Sequence, residues 1–479
     1  MLFEPVIGLE IHAQLQTRSK IFCGCSTAFG APPNTHVCPV CLGFPGALPV
    51  LNRAAVDYGV RAAIALGCRI NATSVFARKN YFYPDLPKGY QISQYDQPLA
   101  SEGAIEFAGA AGPVRVGITR VHLEEDAGKS LHEGFFDSDR KTYVDYNRSG
   151  TPLIEIVSEP DLRLPADAAE FFSRLRGILV WLGVNDGNME EGSLRCDANV
   201  SVRPRGAAAL GTKAEIKNLN SFRFLQKALE YEIERQVELL ERGGRVVQET
   251  RLFDPGSGAT VSMRSKEEAH DYRYFPEPDL PPVIVTSERV AAIRAEMPEL
   301  PDQRRARFVA AHGLPEYDAV QLTQSREVAD FFEAAVAAGA GPKAVSNWMM
   351  GELARALKDA GTSIADSPVS PERLAELLAL VERGTLSGAM AKGVFETMVA
   401  SGRTASAIVE TEGLAQIDDD TEILALVADV LARNADAVAQ FRSGKASALG
   451  FLVGQVMKST SGKANPKRVN AALQKALAN

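Results

Sequence analysis

The sequence predicts an α+β fold in which a domain built on an antiparallel sheet is followed by all-α helical and tail domains. β-branched runs bounded by turns, such as residues 114–119 and 154–157, occur in the first part of the chain. Alanine-rich segments with a 3.6-residue apolar repeat fill the second part. The proline-rich segment 277–282 separates the two parts. We expect a sheet-containing domain at 1–292, a helical domain at 293–405 and a small helical tail domain at 406–479.

The formal net charge is -8, which argues against a protein whose whole surface is basic and binds nucleic acid nonspecifically. The charge is uneven, however, because residues 437–479 contain seven Lys or Arg and no Asp or Glu. A basic segment of this length favours a polyanionic partner. The chain begins without the features of a signal peptide and has no membrane-spanning apolar run, so we expect a reducing, cytoplasmic location.

The first predicted element is a strand at residues 6–15. Apolar residues alternate along it, which places Glu10, His12 and Gln14 together on the opposite face. A face that carries a carboxylate and an imidazole offers ligands for a metal ion. A solvated face of an amphipathic strand would have the same pattern.

Four cysteines follow this strand in two closely spaced pairs. The pairs Cys23/Cys25 and Cys38/Cys41 are separated by a segment rich in turn-forming residues, which allows both pairs to approach one ion. A reducing compartment disfavours disulfides. We therefore expect a closed structural zinc site with four thiolate ligands, with free or redox-active thiols as the alternative.

A group of acidic residues follows the strand predicted at 114–119. Strand alternation places Glu125 on one face and His122, Glu124 and Asp126 on the other, so that one or two carboxylates point into a cleft. Adjacent acids repel one another, which indicates either a solvated loop or a site for a divalent ion.

A second polar segment, residues 187–201, precedes another strand. It places Glu190, Ser193, Arg195 and Asp197 close together around glycines. Oxygen ligands beside an arginine suit Mg²⁺ and a nucleotide phosphate. The sequence has no Walker A loop and no dinucleotide-binding glycine pattern, so a nucleotide would need a different scaffold.

Helix signals predict a helix at 221–242 and three short helices in the tail. The first tail helix, 420–442, is predicted to end at Gly444 and the second at Gly462, and Pro466 starts the third. A four-residue apolar repeat in the third helix turns the basic side chains of that helix outward, where a polyanion can contact them. The basic residues that lie on or beside the tail helices are Lys458, Lys463, Lys467, Arg468 and Lys475.

Five blocks of sequence resemble the B subunit family of aspartyl/glutamyl-tRNA amidotransferases. The blocks are long and specific to that family, and the resemblance spans essentially all 479 residues. They are Glu10-Ile11-His12 and residues 78–95, 145–155, 215–222 and 272–280.

The resemblance implies a cradle-like catalytic domain related in architecture to glutamine synthetase, followed by a helical domain and a tail that binds tRNA. It implies that ATP and Mg²⁺ are used to phosphorylate the side-chain carboxylate of glutamate or aspartate on tRNA(Gln) or tRNA(Asn), and that ammonia displaces the phosphate. An acyl phosphate is a good electrophile, whereas a carboxylate is a poor one. The sequence has no amidase or Cys-His glutaminase pattern. The resemblance implies that a separate glutaminase, the A subunit of the same complex, supplies the ammonia, and that a small C subunit completes the complex.

The resemblance also implies roles for single residues. Glu10, His12 and Glu125 match the family's divalent-metal positions, and strand alternation singles out the same residues. Weaker candidates for a second ion, or for accepting a proton from ammonium, are Glu124, Glu155, Glu190 and Asp197. Candidates for phosphate binding or the ammonia path are Lys79, Lys88, Ser193 and Arg195. The residues expected to act in catalysis are Glu10, His12, Glu124, Glu125 and Lys79.

Two other functions stay open at this point. A zinc-stabilised RNA-binding scaffold would keep the cysteines and the basic tail, but it would have no use for metal ligands that converge on one ion. An ATP-dependent amide ligase acting on free ammonia and a free amino acid would leave the basic tail unexplained. The sequence does not decide whether Glu-tRNA(Gln), Asp-tRNA(Asn) or both are substrates.

Overall fold

A computed structural model describes residues 2–132, 137–265, 269–414, 419–443, 445–460 and 463–478. The chain divides into two units, Met1–Leu300 and Pro301–Asn479. The predicted boundary at residue 292 falls within a helix of the first unit, Ser287–Glu296. That helix packs against the helix Arg53–Ala65 of the same unit, so the proline-rich segment before it does not end the domain.

The strands have the alternating burial that the sequence indicates. In the first strand, Ile7, Leu9, Ile11 and Ala13 are buried in the core. The strands in chain order are β1 (Phe3–Gln14), β2 (Arg69–Ile70), β3 (Thr73–Ser74), β4 (Phe76–Asn80), β5 (Tyr90–Gln94), β6 (Ala100–Gly109), β7 (Gly112–Glu125), β8 (Lys129–Leu131), β9 (Tyr143–Asp145), β10 (Pro152–Ser158), β11 (Leu194–Pro204), β12 (Ala214–Lys217), β13 (Glu249–Asp254), β14 (Ala259–Ser265), β15 (Phe275–Pro276) and β16 (Val283–Ile284).

The helices are numbered in chain order as well. They are α1 (Arg53–Ala65), α2 (Pro165–Trp181), α3 (Phe222–Glu241), α4 (Ser287–Glu296), α5 (Pro301–His312), α6 (Glu316–Leu322), α7 (Arg326–Ala337), α8 (Pro342–Trp348), α9 (Ala354–Ala360), α10 (Pro371–Glu382), α11 (Gly388–Ser401), α12 (Ala405–Glu412), α13 (Asp420–Arg433), α14 (Ala435–Arg442), α15 (Ser447–Ser459) and α16 (Pro466–Ala478). A π-helical turn at Met349–Leu353 joins α8 to α9. In the first unit, α1 packs on β7, α2 on β6 and α3 on β11.

Among the residues described, twelve strands form one sheet with the order β14-β13-β12-β11-β1-β10-β7-β5-β4-β15, and β6 and β2 extend it beside β7. Its described strand pairs are antiparallel except β12 and β13, which are parallel. The sheet is therefore mixed, not wholly antiparallel as predicted. The parallel pair requires a crossover connection, and α3 lies between the two strands in the chain.

The second unit is helical, as predicted. The segment 420–442 forms two helices, α13 and α14, because Asn434 has a backbone conformation (φ -126°, ψ 46°) that interrupts the helix. The predicted helix ends at Gly444 and Gly462 lie outside the described residues. The predicted apolar stripe of α16 is buried and consists of Val469, Leu473 and Leu477. None of the described helices combines the length and the apolar character needed to cross a membrane.

Candidate active site

Four polar side chains lie in one row across the sheet. The strand register pairs Arg195 in β11 with His12 in β1, and His12 with Glu155 in β10. It also pairs Glu155 with His122 in β7. Residues directly opposite each other in neighbouring strands have Cβ atoms about 4.5–5.5 Å apart. The sheet therefore brings together side chains that are far apart in the sequence.

Two carboxylates lie between the two histidines of this row. The Nε2 atom of His12 lies 3.6 Å from Glu155 Oε2 and 3.7 Å from Glu124 Oε1. The Nε2 atom of His122 lies 3.2 Å from Glu155 Oε2 and 3.6 Å from Glu124 Oε2. We term His12, His122, Glu124 and Glu155 the acid–histidine cluster.

Burial and charge act against each other in this cluster. Burial disfavours the charged imidazolium, but attraction to Glu155 and Glu124 outweighs it and raises the pKa of His122 to about 9. The pKa of His12 is raised by the same balance. Burial alone would raise the pKa of Glu155, whereas the two histidines bring it well below its usual range. The carboxylates therefore need a cation beside them, either an imidazolium or a bound metal ion.

The geometry and the donor atoms fit a divalent cation. His12, Glu124 and Glu155 each offer one ligand atom, and these atoms lie within 4.8 Å of one another. Carboxylates suit Mg²⁺ and Mn²⁺, while an imidazole extends the set toward softer divalent ions. Glu124 and Glu155, which the resemblance offers as weaker candidates, both lie beside His12.

Further charged side chains line the cleft beside the cluster. Glu10 lies opposite Asp197 in the register of β1 and β11, and Asn199 Nδ2 donates to Glu10 Oε1 at 2.9 Å. Lys217 Nζ donates to Asp197 Oδ2 at 2.6 Å. Lys79 lines the same cleft and forms no ion pair within the described part of the chain. The cleft thus combines carboxylates with two lysines, which are the cations that a phosphate group requires.

The structure does not bring Glu125 together with Glu10 and His12. Lys88 Nζ donates to the Glu125 carboxylate, and a backbone N–H of β5 donates to Glu125 Oε1 at 2.9 Å. Neighbouring residues of a strand point to opposite faces, so Glu125 and Glu124 cannot both face the cleft. The alternation along β7 was interpreted correctly, but the predicted convergence of Glu10, His12 and Glu125 on one ion is absent from the described structure.

The polar segment 187–201 contributes less to the cleft than expected. Arg195 borders the cleft, but its Nη1 and Nη2 atoms donate to the two carboxylate oxygens of Asp126, each at 3.0 Å. Ser193 is buried, and its Oγ donates to the Asn188 carbonyl at 2.8 Å. Glu190 is exposed and is not among the residues that line the cleft. These groups fix the turn before β11, which leaves Asp197 as the acid of this segment in the cleft.

The cysteines form a second cluster, whose sulfurs lie within 4.8 Å of one another. Four thiolates around Zn²⁺ at about 2.3 Å would lie about 3.8 Å apart, so small shifts would complete a tetrahedral site. A hydrogen bond from Cys23, aided by the nearby Lys20 ammonium, lowers the pKa of Cys41 to about 4. Lys20 is fully buried, and its Nζ lies 3.5 Å from Cys41 Sγ. The cysteine cluster consists of Cys23, Cys25, Cys38 and Cys41.

Comparison with known proteins identifies the family. Residues 5–291 match the family described as the GatB/GatE catalytic domain, and residues 330–477 match the family described as the GatB domain. The chain belongs to the GatB family. It is 56% identical over 476 residues to the B subunit of the aspartyl/glutamyl-tRNA(Asn/Gln) amidotransferase of Carboxydothermus hydrogenoformans, and the match covers 99% of each chain. It is 57% identical over 477 residues to the protein of the same name from Caldanaerobacter subterraneus, with 100% of each chain covered.

In this GatB-family chain, two of the five residues predicted to bind tRNA contact other groups of the protein, and three are exposed to solvent without an ion pair among the described residues. Arg468 Nη1 pairs with Asp420 at 3.0 Å, and Lys463 Nζ donates to the Gly413 carbonyl at 2.7 Å. The others are exposed and take part in no ion pair within the ranges the structure describes, and they are Lys458, Lys467 and Lys475.

Two residues of the cleft in this GatB-family chain were not predicted from the sequence. His122 was placed on the same face as Glu124 but was given no role, although it contacts both carboxylates of the cluster. Lys217 lies in a block that resembles the family, two residues after Glu215, and both line the cleft. Residues two apart in a strand lie on the same face, so the alternation in β12 could have placed Lys217 beside Glu215 in the cleft.

Proposed function

We propose that this protein activates the side-chain carboxylate of glutamate or aspartate on misacylated tRNA(Gln) or tRNA(Asn) with ATP and converts it to the amide. The reaction makes the protein part of a carbon–nitrogen ligase that uses glutamine as amide donor. Its partners are the glutaminase, or A, subunit, which supplies ammonia, and the small C subunit. The observation that supports the proposal is the acid–histidine cluster, because it lies in a cleft that Lys79 and Lys217 also line, in a chain of the GatB family.

The proposed chemistry has two steps. The substrate carboxylate attacks the γ-phosphorus of ATP, which forms an acyl phosphate and releases ADP. Ammonia then attacks the acyl carbon, and inorganic phosphate leaves. The same order of steps is used by glutamine synthetase, to which we propose the first unit is related in architecture. A cytoplasmic location and a structural zinc in the cysteine cluster complete the proposal.

Residues of the cleft have a proposed role in each step. His12, Glu124 and Glu155 would hold the divalent cation, and the cation would neutralise phosphate charge. Lys79 and Lys217 contact phosphate oxygens, and Asp197 orients Lys217. Glu10, which lines the cleft, accepts a proton from incoming ammonium.

The test uses the complex with the A and C subunits. Amide formation on Glu-tRNA(Gln) and on Asp-tRNA(Asn) is measured with and without ATP, over titrations of Mg²⁺ and Mn²⁺. Hydroxylamine in place of ammonia traps an acyl phosphate as a hydroxamate. Hydroxylamine also cleaves the ester bond of charged tRNA to an α-hydroxamate without enzyme, so the product measured is the side-chain hydroxamate. We expect this side-chain hydroxamate to require ATP, the divalent ion and charged tRNA together. Amidation without ATP, or with a free amino acid in place of charged tRNA, would refute the proposal.

A further inference from the structure

Tyrosines from three segments of the chain meet at one side of the cleft. Tyr81 follows β4, Tyr95 follows β5, and Tyr272 and Tyr274 come shortly before β15. Because β15 pairs with β4 and β4 pairs with β5, the three segments are held side by side. Three of the four rings line the part of the cleft that also contains the two histidines of the acid–histidine cluster.

Two of these rings form a parallel stack. The ring centroids of Tyr95 and Tyr274 are 4.0 Å apart, with an interplanar angle of 6°. Tyr272 contacts Tyr274 edge to face, at a centroid distance of 5.9 Å. Tyr95 is 40% exposed, so the stack ends at a ring that a further planar group can cover.

The backbone that carries the stack is held in an unusual conformation. Arg273, between the two tyrosines, has a φ of 48°, which is unfavourable for a residue with a Cβ atom. Asn80 Nδ2 donates to the carbonyls of Tyr272 and Arg273 at 3.0 and 2.9 Å and fixes this turn. Such strained positions occur at ligand-binding sites more often than elsewhere. The aromatic wall is therefore built before any ligand arrives.

A cation lies beside the wall. Lys79 Nζ is 4.9 Å from the centroid of Tyr272, and no carboxylate pairs with this lysine in the described part of the protein. Aromatic rings next to a lysine provide the two contacts that a nucleotide needs, since the base stacks on the rings and the phosphate meets the ammonium. Both lie in the cleft that contains the acid–histidine cluster.

We propose that an adenine ring stacks on the exposed side of Tyr95, which Tyr274 supports from behind, and that Lys79 contacts a phosphate of the same nucleotide. The identity of the nucleotide rests on the proposed function, which offers two sources of adenine. One source is ATP, and the other is the 3′-terminal adenosine of the charged tRNA. The site recognises the flat ring and the adjacent phosphate, which both sources share.

The first test uses the wild-type chain in complex with its partner subunits. In one arm the complex is irradiated with 8-azido-ATP, and in the other with tRNA that ends in 8-azidoadenosine. Peptide mapping by mass spectrometry is expected to find the label on Tyr95, Tyr272 or Tyr274 in one arm, which identifies the source. Labelling confined to other segments in both arms would overturn the proposal.

The second test measures binding by variants of the same complex. Tyr95→Ala is expected to weaken binding of the source nucleotide by about 5- to 150-fold, which is the range found when a base-stacking aromatic residue is removed. Tyr95→Phe keeps the ring and is expected to bind like the wild type. Tyr317→Ala, which removes a tyrosine that is 70% exposed in the second unit, is the matched control.

The outcomes separate this site from the proposed function. Unchanged affinities for both ATP and tRNA in Tyr95→Ala would refute the adenine site, even if the complex amidates tRNA normally. Failure of the wild-type complex to amidate tRNA would refute the proposed function, while the labelling and binding data would still decide on the adenine site.

Discussion

Glu124 and Glu125 are neighbours in β7 but belong to two different environments on opposite faces of the sheet. Glu124 joins the acid–histidine cluster, which faces an open cleft. Glu125 joins Lys88 in a cavity that Lys20 and Cys41 also line. The first environment offers oxygen and nitrogen donor atoms, whereas the second borders the four cysteines of the cysteine cluster. Residue type alone does not separate these two carboxylates, but the face of the strand does.

The largest expected effect concerns the cysteine cluster, on the face of the sheet that Glu125 occupies. Cys41→Ser removes one of four thiolates, and loss of a structural zinc costs on the order of 10 kcal/mol of local folding free energy. We expect one zinc per wild-type chain in protein purified under reducing conditions, and faster amide hydrogen exchange around residues 20–50 in the variant. Cys68→Ala, outside the cysteine cluster, is the control and should retain zinc. A wild-type chain without zinc would contradict this prediction.

The next largest effect concerns the acid–histidine cluster, on the opposite face of the sheet. Glu155→Gln removes a charge that both histidines contact, so we expect roughly a 10³-fold loss in the rate of hydroxamate formation, or about 4 kcal/mol. Because the role proposed for the cluster is in the chemical step, tRNA affinity should change little. The matched control is Glu190→Gln, an exposed acid outside the cleft, which should keep full activity. Equal rates for the two variants would make the acid–histidine cluster structural.

Lys88→Met tests whether the two faces of the sheet are independent, because it leaves Glu125 buried without its ammonium partner. We expect a loss of about 3 kcal/mol in the free energy of unfolding, measured by denaturant titration. The double variant Lys88→Met/Glu125→Gln should recover a large part of this loss, since it removes both charges. Binding of Mn²⁺ at the acid–histidine cluster should be the same in all three proteins. A change in Mn²⁺ affinity would show that the two faces are coupled.

The smallest effect concerns the tail. Removing residues 437–479 would expose the core of α13, since Leu452 and Val456 pack with Ile423 and Val427. Charge-neutralising substitutions test tRNA binding more cleanly. The triple variant Lys458→Gln/Lys467→Gln/Lys475→Gln should lower the salt dependence of tRNA affinity by about 0.9 per lost phosphate contact on a log-log plot.

The control for the tail is Lys358→Gln, an exposed lysine of α9. It should leave both the affinity and the salt dependence unchanged. If the triple variant behaved like this control, the tail would be only a solvated basic surface.

Local patterns predicted what depends on a single segment. The alternation of β1 correctly placed Glu10 and His12 on one face, and the apolar repeat of α16 correctly predicted its buried stripe. The partnership of His12 with Glu155 depends on the register between β1 and β10, which no local pattern encodes. The parallel pair β12–β13 was missed for a related reason, because it depends on how segments distant in the sequence pair. The sequence therefore predicted that carboxylates and a histidine form the cluster, but it did not predict which of these residues lie together.

The position of β1 in the sheet also has a consequence for synthesis of the chain. β1 is made first, yet its partners β10 and β11 lie at residues 152–158 and 194–204. Translation at roughly 5–20 residues per second puts about 10 to 40 s between the synthesis of His12 and that of Arg195. During this interval Ile7, Leu9 and Ile11 have no completed sheet to enter, and the nascent chain is exposed to aggregation. The face of the sheet that carries the acid–histidine cluster is therefore assembled late, after β11 has been synthesised.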